Sequence, residues 1–273
     1  MVKIKEMFEI YERAKDDMKF LITSDVRSKI LISLNKNSKN LENLRNEIHL
    51  SSSTILHGMN QLKQKDIVVK ESGNYSLSQT GKMAAIIFED FMKALSSLST
   101  CKNLFLNHET KCIPNSLIKD IGCLNDAVLI KSTTTDVLRP HTVLSDLLST
   151  TRNVKHLSSV FYPQNVELFL RNLEERGNVD IIFTREVLDK LVGFLDHVEL
   201  ENWISSGKLK LGCVNDSMKI FLTVGDDFMA MGLFSAEGNY DLNLFLISKG
   251  EEAISWGNRL FNHYLRHAEK FET

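Results

Sequence analysis

Apolar positions along the chain fall into two regimes. Up to residue 98 they recur at steps of three and four, the period of an α-helix; from residue 127 on, strand-length apolar runs alternate with helical stretches. Residues 1–22 place Ile4, Met7, Tyr11, Ala14, Met18 and Leu21 on one narrow seam. That pattern predicts a helix of coiled-coil type, which either packs on its own core or contributes to a dimer. Residues 25–34 predict a core helix with Val26, Ile30, Leu31 and Leu34 inward, and residues 35–40 a polar loop. Leu41, Leu44 and Ile48 make a short amphipathic helix. Ser51-Ser52-Ser53-Thr54 then supplies hydroxyls suited to an N-cap, and a second helix carries Ile55, Met59 and Leu62 on one face. The strand-like runs 67–70 and 75–78 flank Glu71, Ser72, Gly73 and Asn74, which predicts a hairpin.

Two short helices, a tight turn and a hairpin behind them are the plan of a winged helix-turn-helix reader of DNA. Residues 81–98 predict a further helix, apolar over most of its circumference: Met83, Ile86, Ile87, Phe88, Phe91, Leu95 and Leu98 among others. Such a helix needs covering, by the rest of its own chain or by a second subunit, and two-fold DNA sites favour the second. Residues 100–126 read as irregular. Strands are predicted at 127–130, 154–161, 179–184, 208–214, 218–224, 228–234 and 242–247, and helices at 140–150, 165–176, 186–204 and 249–271. The class is therefore α+β, with a winged helix-turn-helix domain at 1–80, a linker or dimerisation helix at 81–99 and a mixed α/β sheet domain at 100–273. Gly225-Asp226-Asp227 echoes polymerase carboxylate motifs but reads more simply as a hairpin turn between two apolar strands.

The outer face of the second helix sharpens the picture. Ser52, Ser53, Thr54, His57, Asn60, Gln61 and Lys63 lie there, and no acid falls between Ser51 and Lys65. Asn60 and Gln61 suit adenine, His57 suits guanine or phosphate, and the hydroxyls at the helix start suit the DNA backbone. Lys70, Asn74 and Tyr75 on the hairpin are candidate phosphate contacts. A winged helix used only for protein contacts is the alternative. The net charge of −2 gives no general attraction to nucleic acid, but it is unevenly spread. Residues 1–98 hold 15 Lys/Arg against 12 Asp/Glu, and the remainder 18 against 23.

Residues 25–34, Ser53-Thr54-Ile55-Leu56-His57, 62–68 and 77–82 resemble the winged-helix domain of archaeal ArsR-like regulators. In particular they resemble a methanogen group that joins it to a characteristic regulatory domain. The second half is similar to that regulatory domain at Phe161-Tyr162-Pro163, 177–187, 222–227, 233–241 and 256–264. Two positions depart from the pattern. Gly58 stands mid-helix, where it should weaken the helix by roughly 1 kcal/mol relative to Ala. Asp66 stands after that helix in place of Gly, and Asp tolerates the left-handed backbone expected there. The resemblance implies an archaeal transcriptional regulator whose second domain is similar to one half of the phospholipase D fold. It also implies double-stranded DNA as partner and a homodimer as the assembly.

The chemistry of phospholipase D needs His-x-Lys motifs, and none of the eight histidines is followed two residues later by lysine. No nucleophile elbow, phosphate loop or dinucleotide fingerprint occurs either, so the expectation is a non-enzyme without cofactor or metal. A phosphodiesterase remains the rival reading. A small-molecule effector is the natural ligand of such a domain, with His156, Tyr162, Arg185, Tyr240 and Trp256 as candidate pocket residues. Cys101, Cys112 and Cys123 recur every eleven residues and, with Cys213, are either inert thiols or redox sensors. With no apolar run of membrane-spanning length and charged residues at the start, the chain is expected in the cytoplasm, away from membranes.

Overall fold

Polar side chains determine where the N-terminal helices begin. In the computed structural model, which describes residues 3–175, 177–215 and 217–271, the chain divides into two compact units, Met1–Met92 and Lys93–Thr273. The first unit contains α1 (Ile4–Ile22), α2 (Asp25–Lys36), α3 (Leu41–Ile48), α4 (Ser52–Gln64) and a hairpin of β1 (Val68–Glu71) and β2 (Asn74–Leu77). It ends within α5 (Gln79–Thr100), so the division falls inside that helix. Ser24 Oγ, Asn40 Oδ1 and Ser51 Oγ accept backbone N–H groups of α2, α3 and α4 at 3.3, 2.8 and 3.2 Å. Each satisfies a donor that a helix start leaves open. His49, between α3 and α4, and Asp66, after α4, adopt left-handed backbone with φ of 57° and 55°. Ile30, Leu34, Leu44, Ile55, Met59 and Leu62 close the core of this unit.

Gly58 has a role that its helix propensity hides. A Cβ there would lie 2.9 Å from Val26 Cγ1 and 3.2 Å from Ile30 Cδ1, so α4 approaches α2 more closely than any other residue would allow.

The second unit runs from α6 (Lys102–Asn107) and α7 (Asn115–Lys119) through β3 (Val128–Lys131), α8 (Arg139–Thr150), β4 (Asn153–Ser158), α9 (Pro163–Glu174) and β5 (Asn178–Thr184). It continues with α10 (Arg185–Phe194), α11 (His197–Ser205), β6 (Leu209–Val214), β7 (Ile220–Val224), β8 (Met229–Leu233), β9 (Leu244–Ser248), α12 (Glu251–Leu265) and β10 (Glu269–Lys270). The described strands form an eight-stranded sheet in the order β10-β6-β5-β4-β7-β8-β9-β3. β4, β5 and β6 run parallel and the other pairings are antiparallel. Successive strand residues serve opposite faces. Leu157, Ile182, Leu222, Met231 and Leu246 pack with α12, while Phe183, Phe221 and Phe245 pack with α8, α9 and α10.

Three stretches differ from the sequence expectation. Residues 100–126 are ordered as α6, α7 and a 3-10 turn at Ile121–Leu124, held by the buried Leu104, Ile113, Leu117 and Leu124. The expected helix 186–204 is two helices, because Asp196 Oδ1 accepts from the N–H groups of Val198 and Glu199 and starts α11 afresh. The expected helix 249–271 ends at Leu265, and residues 269 and 270 pair with β6 as an edge strand. Met1 and Val2 of the expected first helix and Arg176 of the expected helix 165–176 lie outside the described residues. Among the described residues no helix is long and apolar enough to cross a membrane.

The Gly225-Asp226-Asp227 turn joins β7 to β8 and is structural. Asp226 accepts the N–H groups of Arg152 and Asn153 at 3.0 and 3.1 Å, the Thr151 hydroxyl at 3.2 Å and the Asn153 amide at 2.9 Å. Burial alone would raise its pKa, but the hydrogen bonds outweigh it and hold the carboxyl below the ordinary range.

Two outcomes follow from these contacts. Gly58→Ala should destabilise the chain by about 1 kcal/mol, the roughly 1 kcal/mol gained in helix propensity being outweighed by about 1–3 kcal/mol of overpacking; urea unfolding measures it. The folded-state pKa of Asp226 is depressed, so its contribution is present above pH 4 or so and is lost as pH falls through the folded value. Asp226→Asn should therefore show a smaller loss of melting temperature between neutral and acid pH than the parent; equal losses would remove Asp226 from the acid response.

Candidate nucleic-acid interface

The inward anchors of α4 decide what it shows to solvent. Ile55, Gly58, Met59 and Leu62 are buried, which turns Ser53, Thr54, His57, Asn60, Lys63 and Gln64 outward and leaves Ser52 and Gln61 half-buried at the margins. The start of the helix is a cluster of hydroxyls: Ser51 Oγ lies 2.9 Å from Ser53 Oγ and 2.7 Å from Thr54 Oγ1. A helix N-terminus with hydroxyls and no carboxylate suits an anion such as a phosphate. At the far end Lys65 pairs with Asp17 at 2.9 Å, a bond that raises the lysine pKa.

Gln61 is less available than its position suggests. Its Oε1 accepts from Arg27 Nη1 at 2.8 Å and its amide lies 3.2 Å from His57 Nε2. Arg27 in turn donates to the Phe20 carbonyl at 2.8 Å and stacks on the Phe20 ring at 4.3 Å, tying the α1–α2 joint to α4. Nothing local in the sequence pointed to Arg27, which lies 34 positions before Gln61.

On the hairpin Lys70 and Asn74 are exposed. Tyr75 is not: it is 5 % exposed, belongs to the core, and its backbone exchanges hydrogen bonds with Lys39 at 3.0 and 2.8 Å. The expected phosphate contact at Tyr75 is therefore corrected. Its ring instead carries the Lys70 ammonium at 5.0 Å from the centroid.

Of the five expected effector residues the structure brings two together. His156 is buried among Phe169, Phe183 and Phe221, bonds Thr223 Oγ1 at 2.9 Å, and has its pKa driven down to about 3 by burial. Trp256 is fully buried and donates to the Leu117 carbonyl at 2.9 Å. Both are core residues, and Arg185 is an exposed partner of Glu269 at 3.2 Å. Tyr162 and Tyr240 remain, at the edge of the sheet where β4 ends and where the β8–β9 connection passes. There the side chains of His141, Asn165 and Tyr240 hold buried polar atoms with no hydrogen-bond partner among the described residues, as does Ser159 nearby. A buried polar group left unmatched costs about 1–3 kcal/mol, so a group of them needs an explanation. His141 and Asn165 escaped sequence reasoning because neither lies in a motif. Burial pushes the thiol of Cys101 up to about 11 and that of Cys112 up to about 12, and it raises that of Cys123 as well, away from the reactive thiolate.

Comparison with known families follows this two-part layout. The methanogenesis regulatory protein FilR1 N-terminal domain matches residues 15–96, and the FilR1 middle domain matches residues 137–267. The chain belongs to the FilR1 family. The FilR1 of Methanothrix harundinacea (strain 6Ac) is 24% identical over 258 residues, covering 93% of this chain and 58% of that protein. The chain thus spans little more than half the length of that relative. Among solved structures, the archaeal chromatin protein TrmBL2 has a TM-score of 0.43 at 13% identity, covering 94% of this chain and all of that one. Phosphatidylserine synthase of Haemophilus influenzae Rd KW20 has a TM-score of 0.42 at 13% identity, covering 53% of this chain and 39% of that one.

In this FilR1-family chain two helices carry apolar faces open to solvent. α1 has no buried residue, and Ile4, Met7, Phe8, Tyr11 and Met18 are exposed. On α5, Ala85 and Phe88 join the core of the first unit, while Met83, Ile86, Ile87 and Phe91 are between 44 and 69 % exposed. Singly exposed apolar residues are ordinary; contiguous ones on one helix face mark an interaction surface.

Proposed function

We propose that this chain is a cytoplasmic, DNA-binding transcriptional regulator that works as a homodimer and responds to a small-molecule effector through its second unit. The observation that carries the reading is the acid-free outer face of α4, left bare by burial of the opposite face. The family name of its relatives, a regulatory protein, supports it. In this reading α4 enters a major groove, with Asn60 pairing to adenine and His57 to guanine or phosphate. Ser52, Ser53 and Thr54 meet the backbone at the helix start, and Lys63, Lys70 and Asn74 meet flanking phosphates. Gln61 reads a base only by releasing Arg27, so its first role is to hold the helix. The exposed faces of α1 and α5 form the contact between copies, which sets the spacing of two reading helices on a two-fold site.

The test is binding to genomic fragments recovered by footprinting. His57→Ala and Asn60→Ala should each weaken specific binding by about 1–3 kcal/mol per base contact and leave the melting temperature unchanged. Affinity should fall linearly with salt on logarithmic axes, from counterion release. Mutants with unaltered footprints, or a flat salt response, would defeat the proposal. In the same assays Ile87→Asp should convert a dimer to a monomer by light scattering and weaken binding to the full site; a monomeric parent at micromolar concentration would defeat the dimer.

A further inference from the structure

The carboxyl edge of β4 collects two helix starts. α9 begins at Pro163, five residues past the end of β4, and α8, which precedes β4, brings His141 of its own first turn to the same edge, where it meets Tyr162. Neither helix has a side-chain cap. His141 is 4 % exposed and both of its ring nitrogens lack a partner; Asn165 is 2 % exposed and both atoms of its amide lack one. Tyr162 lies over His141 with ring centroids 4.5 Å apart, and Phe245 meets the same imidazole edge-on at 4.9 Å. The Tyr240 hydroxyl, also unpartnered, comes from the β8–β9 connection, with its ring 6.3 Å from that of Phe245. A cleft of about 570 Å³ lined by Ser159, Phe161, Lys190 and Phe234 opens beside it.

The atoms themselves restrict what would fit. The Asn165 amide and a neutral imidazole each offer one donating and one accepting side, and Tyr240 offers a hydroxyl. Burial lowers the His141 pKa, which keeps the ring neutral, and no Lys, Arg, Asp or Glu is among the unpartnered atoms. A carboxylate or phosphate, which only accepts, would leave the Asn165 oxygen and one imidazole nitrogen unmatched. A neutral molecule with a donor beside an acceptor would match both, and the rings of Tyr162 and Phe245 would flank a flat body.

We infer that His141, Asn165 and Tyr240 form the effector site of this protein, taking a small uncharged planar ligand that carries adjacent hydrogen-bond donor and acceptor groups, with Tyr162 as its movable cover. This rests on the effector part of the proposed function and adds to it the place and the ligand class. The Tyr162 ring covers the His141 imidazole, and the Asn165 amide and Tyr240 hydroxyl are buried and unmatched as well. A ligand that displaces that ring supplies their missing partners, and so favours the open arrangement by its own differential affinity.

The experiment uses the whole chain with two neutral probes, 2-pyridone and benzamide, and benzoate as an acceptor-only counterpart of the same shape. Histidine ring resonances of His141 should shift with both neutral probes at millimolar concentration and not with benzoate. Asn165→Leu and His141→Phe should raise the melting temperature, since each removes unmatched buried atoms, and should weaken probe binding by about tenfold or more, the loss of one buried hydrogen bond. Neutral probes that leave His141 unmoved, or an Asn165→Leu variant that melts lower than the parent, would overturn the site. DNA affinity measured in parallel separates the two readings. DNA binding with no probe response removes the pocket alone, whereas probe binding with no DNA binding under any condition removes the regulator and leaves the pocket.

Discussion

The close packing of α4 on α2 is the constraint on which the rest of the first unit depends. Gly58 lets the two helices approach, and Ile55, Met59 and Leu62 then lock the rotation of α4 about its axis. With that rotation set, the outward side chains follow from helical periodicity alone. Arg27 adds a polar strut on the margin, binding Gln61 at 2.8 Å and the end of α1 through Phe20. A residue that looks like a weakness in the isolated helix is thus what makes the helix rigid in the fold. Propensity counts the backbone entropy of glycine but not the neighbour whose approach it permits.

Much of this was legible in the sequence because the signals were local and agreed with one another. The serines before α4, the spacing of Ile55, Met59 and Leu62, and the glycine-bearing turn before Asn74 each predict the element found. The strands of the second unit were readable for the same reason: runs such as 179–184 and 228–234 are short, apolar and bounded by polar turns. What failed were long-range facts. Tyr75 has the polarity of a wing residue, and only its burial in the core of the first unit, with its backbone paired to Lys39, shows that it faces inward. His156 and Trp256 look like ligand-binding residues, yet Thr223 and the Leu117 carbonyl satisfy them inside the core. Residues 269–270 closing a sheet edge are likewise decided by a partner far away in the chain, β6, whereas the restart of the helix at Asp196 is a local cap on Val198 and Glu199 inside a stretch of continuous helical periodicity.

The same distinction explains why the polar cluster of the second unit could not be foreseen. A buried histidine with a partner and a buried histidine without one are identical in sequence. His156 and His141 are both nearly inaccessible, at 2 and 4 % exposure, but the first bonds Thr223 and the second bonds nothing among the described residues. A folded protein that is only marginally stable keeps such unmatched groups where something else compensates for them.

Energetics bound what that compensation can achieve. Each unmatched buried polar group costs about 1–3 kcal/mol, and matching two of them on binding would recover a few kcal/mol. That is the size of a typical coupling between two sites, which corresponds to roughly 5- to 150-fold in affinity. A ligand bound equally well by both arrangements of Tyr162 would shift nothing, however tightly it bound. The regulatory reading therefore requires the arrangement with Tyr162 over His141, and with His141 and Asn165 buried and unmatched, to be the strained one of the two.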